Sequence, residues 1–139
     1  MLLLEREKTL AEGARATAVA AILNRKVAVA GKTVAAIVSG GNMDVTLLAR
    51  IIEQGLVKDG RLVRLRISLP DHPGALHRLT EVIAAHRVNI VETSYHRAFH
   101  GATLGHTVID LTMETRGHEH GHGMITALAE AGYNHERIT

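Results

Sequence analysis

The sequence contains no cysteine and no tryptophan, and only one phenylalanine and two tyrosines among 139 residues. Without thiols there is no disulfide framework and no thiolate metal site, which fits a reducing compartment. With 2% aromatic content, the core has to be built from Leu, Ile, Val and Ala. Neither sign of charge dominates: 16 Lys and Arg stand against 14 Asp and Glu, a formal +2 with neutral histidine. The charges are scattered, so no nucleic-acid partner is expected. Long apolar runs are missing as well. Met1-Leu2-Leu3-Leu4 is followed at once by Glu5, Arg6, Glu7 and Lys8, which leaves no signal-peptide h-region. No run reaches the length of a membrane span. The expectation is a soluble, cytoplasmic chain with no membrane partner. Lysine is also sparse, with only Lys8, Lys26, Lys32 and Lys58.

The chain is organised around Leu62–Leu76, LVRLRISLPDHPGAL. Val63, Leu65, Ile67 and Leu69 alternate with Arg64, Arg66 and Ser68, the period-2 pattern of a strand with one buried face. The strand runs into Asp71-His72-Pro73-Gly74, where Pro73 pre-sets φ and Gly74 admits a close backbone approach. A helix follows, with Leu76, Leu79, Val82 and Ile83 on one face. Its free N–H groups make the turn a ready site for a small carboxylate. Asp71 has two readings, a ligand for an ammonium group or a cap for the helix at 74–86.

Residues 1–24 read as an Ala-rich helix. Lys32–Val38 is an apolar run without alternation, as expected of a strand buried on both faces of a parallel sheet. Asn42 or Asp44 can cap the next helix, and Gly55 stands where a C′ residue belongs. Asp59-Gly60 signals a tight turn. The expected division is 1–55, a linker at 56–60, and 61–139. Beyond the linker the pattern is strand 62–69, helix 74–86, strand 88–98, strand 104–115, helix 119–131 and strand 133–138, with Ala102–Leu104 as the loop between the central strands. This βαββαβ order is an α+β ferredoxin-like plait. The third strand offers no aromatic platform for bases. Ten histidines include His118-Glu119-His120-Gly121-His122, in which His118 and His122 share a helix face. Two glycines interrupt that cluster, and no metal site is expected.

Asp71-His72-Pro73-Gly74-Ala75-Leu76 resembles the Asp/Asn-x-Pro-Gly-x-Leu turn of ACT domains, and Val88-Asn89-Ile90 resembles the Asn-Ile that opens their second strand. Ser39-Gly40-Gly41-Asn42, Asp44-Val45, Leu47-Leu48, Arg50-Ile51-Ile52 and Gly55–Leu62 resemble the C-terminal part of a threonine dehydratase (threonine ammonia-lyase). The resemblance implies an ACT domain preceded by an α-β-α remnant of a pyridoxal-phosphate fold type II domain. It implies an effector site at Asp71, His72, Pro73, Gly74, Ala75, Leu76, Asn89 and Ile90, with Asn89 often contributed across a subunit interface. Ser39 then matches the residue that hydrogen-bonds the pyridine nitrogen of pyridoxal phosphate, followed by Gly40, Gly41 and Asn42. Glu12-Gly13-Ala14 resembles another stretch near that cofactor, with Arg15 where the family usually has glycine.

None of the four lysines lies in the family's Ser-x-Lys context, and no glycine run is long enough to cradle a phosphate. Pyridoxal phosphate belongs to the parent family, then, and this chain alone is expected to hold no cofactor and to be no lyase by itself. The expected function is regulatory: a small amino acid (isoleucine, valine, serine or threonine) shifts the arrangement of a homo-oligomer. The alternatives are one subunit of a split pyridoxal-phosphate lyase, or an oligomerisation module without an effector.

Overall fold

A computed structural model describes residues 1–96 and 104–138. The chain divides into two compact units, Met1–Glu53 and Gln54–Thr139.

In the first unit the expected single helix is broken into α1 (Leu2–Glu7) and α2 (Thr17–Leu23). Lys8, in the left-handed conformation with φ 53°, ends α1. Lys32–Val38 is not a strand, which corrects the expected α-β-α arrangement; no strand precedes residue 62 among the described residues. The physical reason is the missing neighbours. A doubly buried parallel strand needs partners for its backbone groups, and this unit has none. Val34 and Ile37 are instead 46% and 85% exposed. The unit contains no fully buried side chain. Its apolar groups line a cavity of about 240 Å³ between Leu3, Leu10, Val19, Leu23, Leu48 and Ile51.

The boundary between the units falls inside α3 (Val45–Lys58). Asp44 caps this helix, its Oδ1 accepting the Leu47 N–H at 2.9 Å. Gly55 does not end it, and the expected linker is helical as far as Lys58. The true C′ residue is Gly60, at φ +68°. Arg61 N–H bonds the Leu56 carbonyl and Gly60 N–H bonds the Val57 carbonyl, the paired bonds of a Schellman end. Asp59-Gly60 is therefore a turn, and it terminates the helix.

The second unit follows the expected order: β1 (Leu62–Pro70), α4 (Ala75–Ala85), β2 (Asn89–His96), β3 (His106–Glu114), α5 (His118–Glu130) and β4 (His135–Arg137). The strands form one antiparallel sheet in the order β2-β3-β1-β4. Residues 97 and 98 of the expected second strand, and Ala102 and Thr103 of the expected loop, lie outside the described residues.

Alternation sets the core. Leu65, Ile67 and Leu69 of β1 and Ile109, Leu111 and Met113 of β3 are buried with Leu79 and Ile83 of α4 and Met124 and Leu128 of α5. Each such aliphatic side chain contributes about 1.5–3 kcal/mol on burial. Leu76, expected on the apolar face of its helix, is exposed. The other sheet face is polar. Arg66 makes a two-pronged contact with Asp110, Nε to Oδ1 and Nη2 to Oδ2, both at 2.8 Å. Arg64 reaches Thr112 and Glu92 at 2.9 Å each.

Candidate functional site

The turn between β1 and α4 is fixed by backbone bonds. Asp71 N–H donates to the Gly105 carbonyl at 2.9 Å, and His72 N–H donates to the Pro70 carbonyl at 3.0 Å. Gly74 is the N-cap of α4 at φ +85°, a conformation that costs a side-chain-bearing residue about 1–2 kcal/mol. Ala75 N–H bonds the His72 carbonyl at 3.3 Å, and the i→i−4 ladder starts with Arg78 N–H on the Gly74 carbonyl at 3.1 Å. Leu76 and His77 precede that rung, in the first turn, where N–H groups are offered to caps, water or ligands.

Asp71, His72, Pro73, Gly74 and Leu76 are exposed, and Ala75 is buried. Beside them opens a cavity of about 300 Å³, lined by Pro70, His72, Ala75, Arg78, His106 and Tyr133 among others. Arg78 and Tyr133 are additions that the sequence reading missed. Arg78 lies four residues after Gly74, so helical spacing alone puts it above the turn. Its Nη2 is 3.1 Å from His72 Nε2. A guanidinium only donates, so Nε2 accepts, and the His72 Nδ1–H donates to the Pro73 carbonyl at 2.9 Å.

Asn89 and Ile90 are not beside this turn. Asn89 pairs with Glu114, whereas Pro70 pairs with His106, so Asn89 and the turn occupy opposite ends of the sheet. The Asn89 amide donates to Glu114 Oε2 at 3.1 Å. Ile90 packs partly buried against the core. A β-bulge between Ile90 and Glu92 leaves Val91 outside the pairing, 56% exposed.

In the first unit, Glu12 N–H approaches the Gly40 carbonyl at 3.5 Å, so the two stretches compared with a cofactor site do meet. Arg15 accompanies them, ion-paired with Glu12 at 3.4 Å and laid over Gly40 where a side chain at that position would be. Ser39, Gly40, Gly41 and Asn42 lie on exposed backbone without helix or strand. No helix among the described residues is long and apolar enough to cross a membrane.

Comparison with known proteins agrees with this fold. Residues 63–117 match the ACT domain family. The L-threonine ammonia-lyase of Geobacter sulfurreducens is 44% identical over 132 residues, covering 94% of this chain and 33% of that protein. The L-threonine ammonia-lyase of Thermotoga maritima is 41% identical over 133 residues, covering 96% and 33%. The L-threonine dehydratase biosynthetic IlvA of Lactococcus lactis is 36% identical over 85 residues, covering 61% and 20%. The chain thus spans about a third of the length of the first two relatives. The second unit carries an ACT domain, and nearly the whole chain is similar to a third of each of those two threonine ammonia-lyases.

Proposed function

We propose that this chain is the regulatory part of a threonine ammonia-lyase, binding a small amino acid at the Asp71–Gly74 turn and thereby favouring one arrangement of subunits. The observation that carries this reading is the glycine-led start of α4 beside a cavity of about 300 Å³. A carboxylate is stabilised there by the first-turn N–H groups and the positive end of the helix dipole. Arg78, in the cavity wall, adds a cation for the same carboxylate. Asp71 takes the ligand ammonium. Leu76, 43% exposed, is available to an aliphatic ligand side chain, which favours isoleucine or valine over serine.

Asn89 joins this site only from a second copy. Among the described residues β2 pairs with β3 alone, so it is a sheet edge. Two β2 edges meeting across a two-fold axis run antiparallel. That pairing carries each Asn89 toward the end of the partner's sheet where the partner's turn lies. Effector binding then stabilises the pair, and the differential affinity for the paired state is what biases the catalytic part of the enzyme. The deamination chemistry, and the pyridoxal phosphate of the parent family, belong on this reading to residues beyond the third that this chain represents.

The test is calorimetric titration of the chain with isoleucine and with 3-methylpentanoate, the same skeleton without the α-ammonium. The acid should bind at least tenfold more weakly if Asp71 holds the ammonium. Equal binding would remove Asp71 from the site.

A further inference from the structure

At the end of the sheet opposite the turn, a second cavity of about 330 Å³ is lined by Arg61, Arg87, Arg116, Asn89, Glu114 and His120, with Thr115 in its wall. Three guanidiniums and one carboxylate share this space. Glu114 Oε2 already accepts from the Asn89 amide. Neither Arg87 nor Arg116 has a side-chain hydrogen bond or ion pair among the described residues. Elsewhere in this domain arginines are matched to acids, as Arg66 is to Asp110 and Arg64 to Glu92. Here the cations outnumber the acid.

The arrangement is braced rather than incidental. His120 is half-buried and ties together the two segments that carry Arg87 and Arg116. Its Nδ1 accepts the Arg116 N–H at 3.0 Å. The imidazole proton is therefore on Nε2, which donates to the His86 carbonyl at 2.7 Å. Arg87 itself is held at φ +55°, a left-handed conformation uncommon outside Gly, Asn and Asp. Thr115 N–H bonds the Arg61 carbonyl at 2.9 Å, and the Thr115 hydroxyl bonds the Gly60 carbonyl. These contacts fix the backbones from which the three guanidiniums extend.

We propose that this cavity is an oxyanion site, taking a small polyanion that carries either phosphate groups or several carboxylates, and that within one chain it is separate from the amino-acid turn. Guanidinium forks match both kinds of oxyanion through paired, charge-assisted hydrogen bonds. The Asn89 amide is a further donor at the rim.

The experiment is calorimetric titration of the whole chain with sodium pyrophosphate and, separately, with citrate, at an ionic strength held constant with chloride. Saturable binding of one ion per chain is expected. An Arg87→Gln/Arg116→Gln double variant should weaken it at least tenfold, whereas Arg50→Gln, on the surface of α3, should not. Binding of pyrophosphate alone assigns a phosphate ligand, and binding of citrate assigns a polycarboxylate. Absence of saturable binding for both overturns the proposal, as does full affinity in the double variant. If the double variant fails to fold, Arg116→Lys keeps the charge and loses the fork. An affinity unchanged by that substitution also overturns the proposal.

Discussion

Asp71 and Asn89 lie at opposite ends of one sheet. The eight steps of β3 from His106, opposite Pro70, to Glu114, opposite Asn89, span about 26 Å at roughly 3.3 Å per residue. No small amino acid bridges that distance within one chain. A site using both residues would require two chains, and on the proposed reading the second meets β2, which pairs with β3 alone among the described residues.

A charge in that edge should therefore separate the copies. Val91, outside the strand pairing and 56% exposed, is the residue to change. Val91→Asp places like charges near each other across the two-fold axis. It should weaken self-association about tenfold or more by sedimentation equilibrium, with an unchanged circular dichroism spectrum. Unchanged association would move the interface away from β2.

Two glycines with similar φ values should respond differently to alanine. At Gly74 an added Cβ meets nothing within 4 Å, so only the left-handed backbone is penalised, by about 1–2 kcal/mol. At Gly60 the Cβ would lie 2.8 Å from the His118 backbone nitrogen, and a steric cost of about 1–3 kcal/mol is added. Urea denaturation should thus rank Gly60→Ala as clearly the less stable variant. Equal losses would mean that the contact between Gly60 and α5 relaxes at little cost.

Removing the His120 brace should cost stability at a site remote from the effector turn. His120→Ala breaks its bonds to the Arg116 N–H and the His86 carbonyl, for a loss of about 1–3 kcal/mol. The variant's affinity for an amino acid at the turn should be unchanged. A parallel loss of amino-acid affinity would show that the two ends of the sheet are coupled.

The Arg66 guanidinium should contribute no pH dependence of its own near neutrality. The hydrogen bond that Arg66 donates to Asp110 is the main cause holding its guanidinium above its ordinary pKa, with Glu136 adding a smaller attraction. A cation whose folded pKa is raised contributes its stability fully below the unfolded value and loses it only as pH rises through the folded one. That window lies beyond the range in which proteins are handled. Unfolding curves of Arg66→Gln and of the parent chain should stay parallel between pH 8 and 10. Convergence within that range would assign the pair a titration it is not expected to have.

Limited trypsin digestion should cut first after Arg25, Lys26 or Lys32, where the backbone is without helix or strand and exposed. The product should be a resistant fragment containing β1 to β4. Protection of Lys32 in the isolated chain would mean that the segment 27–44 is covered by a second copy.

The plait was legible because its signals are local and mutually consistent. Val63, Leu65, Ile67 and Leu69 alternate strictly, Pro73-Gly74 marks the turn, and α4 and α5 each present an apolar stripe. The end of α3 was misread because two glycines competed for its C′ position. Gly55 tolerates a helix interior, and Gly60 alone takes the left-handed conformation that stops the helix. The strand expected at 32–38 failed for a non-local reason. The apolar run is real, but the neighbours that would make it a strand are not in the unit. At the turn, Asp71 to Gly74 could be read from the motif. Arg78 follows from helical spacing after Gly74, Tyr133 enters through three-dimensional packing, and the Arg87–Arg116–His120 grouping joins residues about 30 positions apart in sequence.

The measurement that bears most directly on the regulatory reading is a thermal-shift screen of the purified chain against the twenty amino acids. Ligand at a hundredfold above Kd stabilises the native state by about 2.7 kcal/mol, a shift of several degrees or more for a domain of this size. The predicted result is a rise with a small aliphatic amino acid such as isoleucine or valine. That rise should be lost when Gly74→Leu or Arg78→Gln is measured against its own unliganded midpoint. A flat screen, with the chain shown to be dimeric in the same buffer, would contradict the account and leave the ACT domain as an assembly element alone.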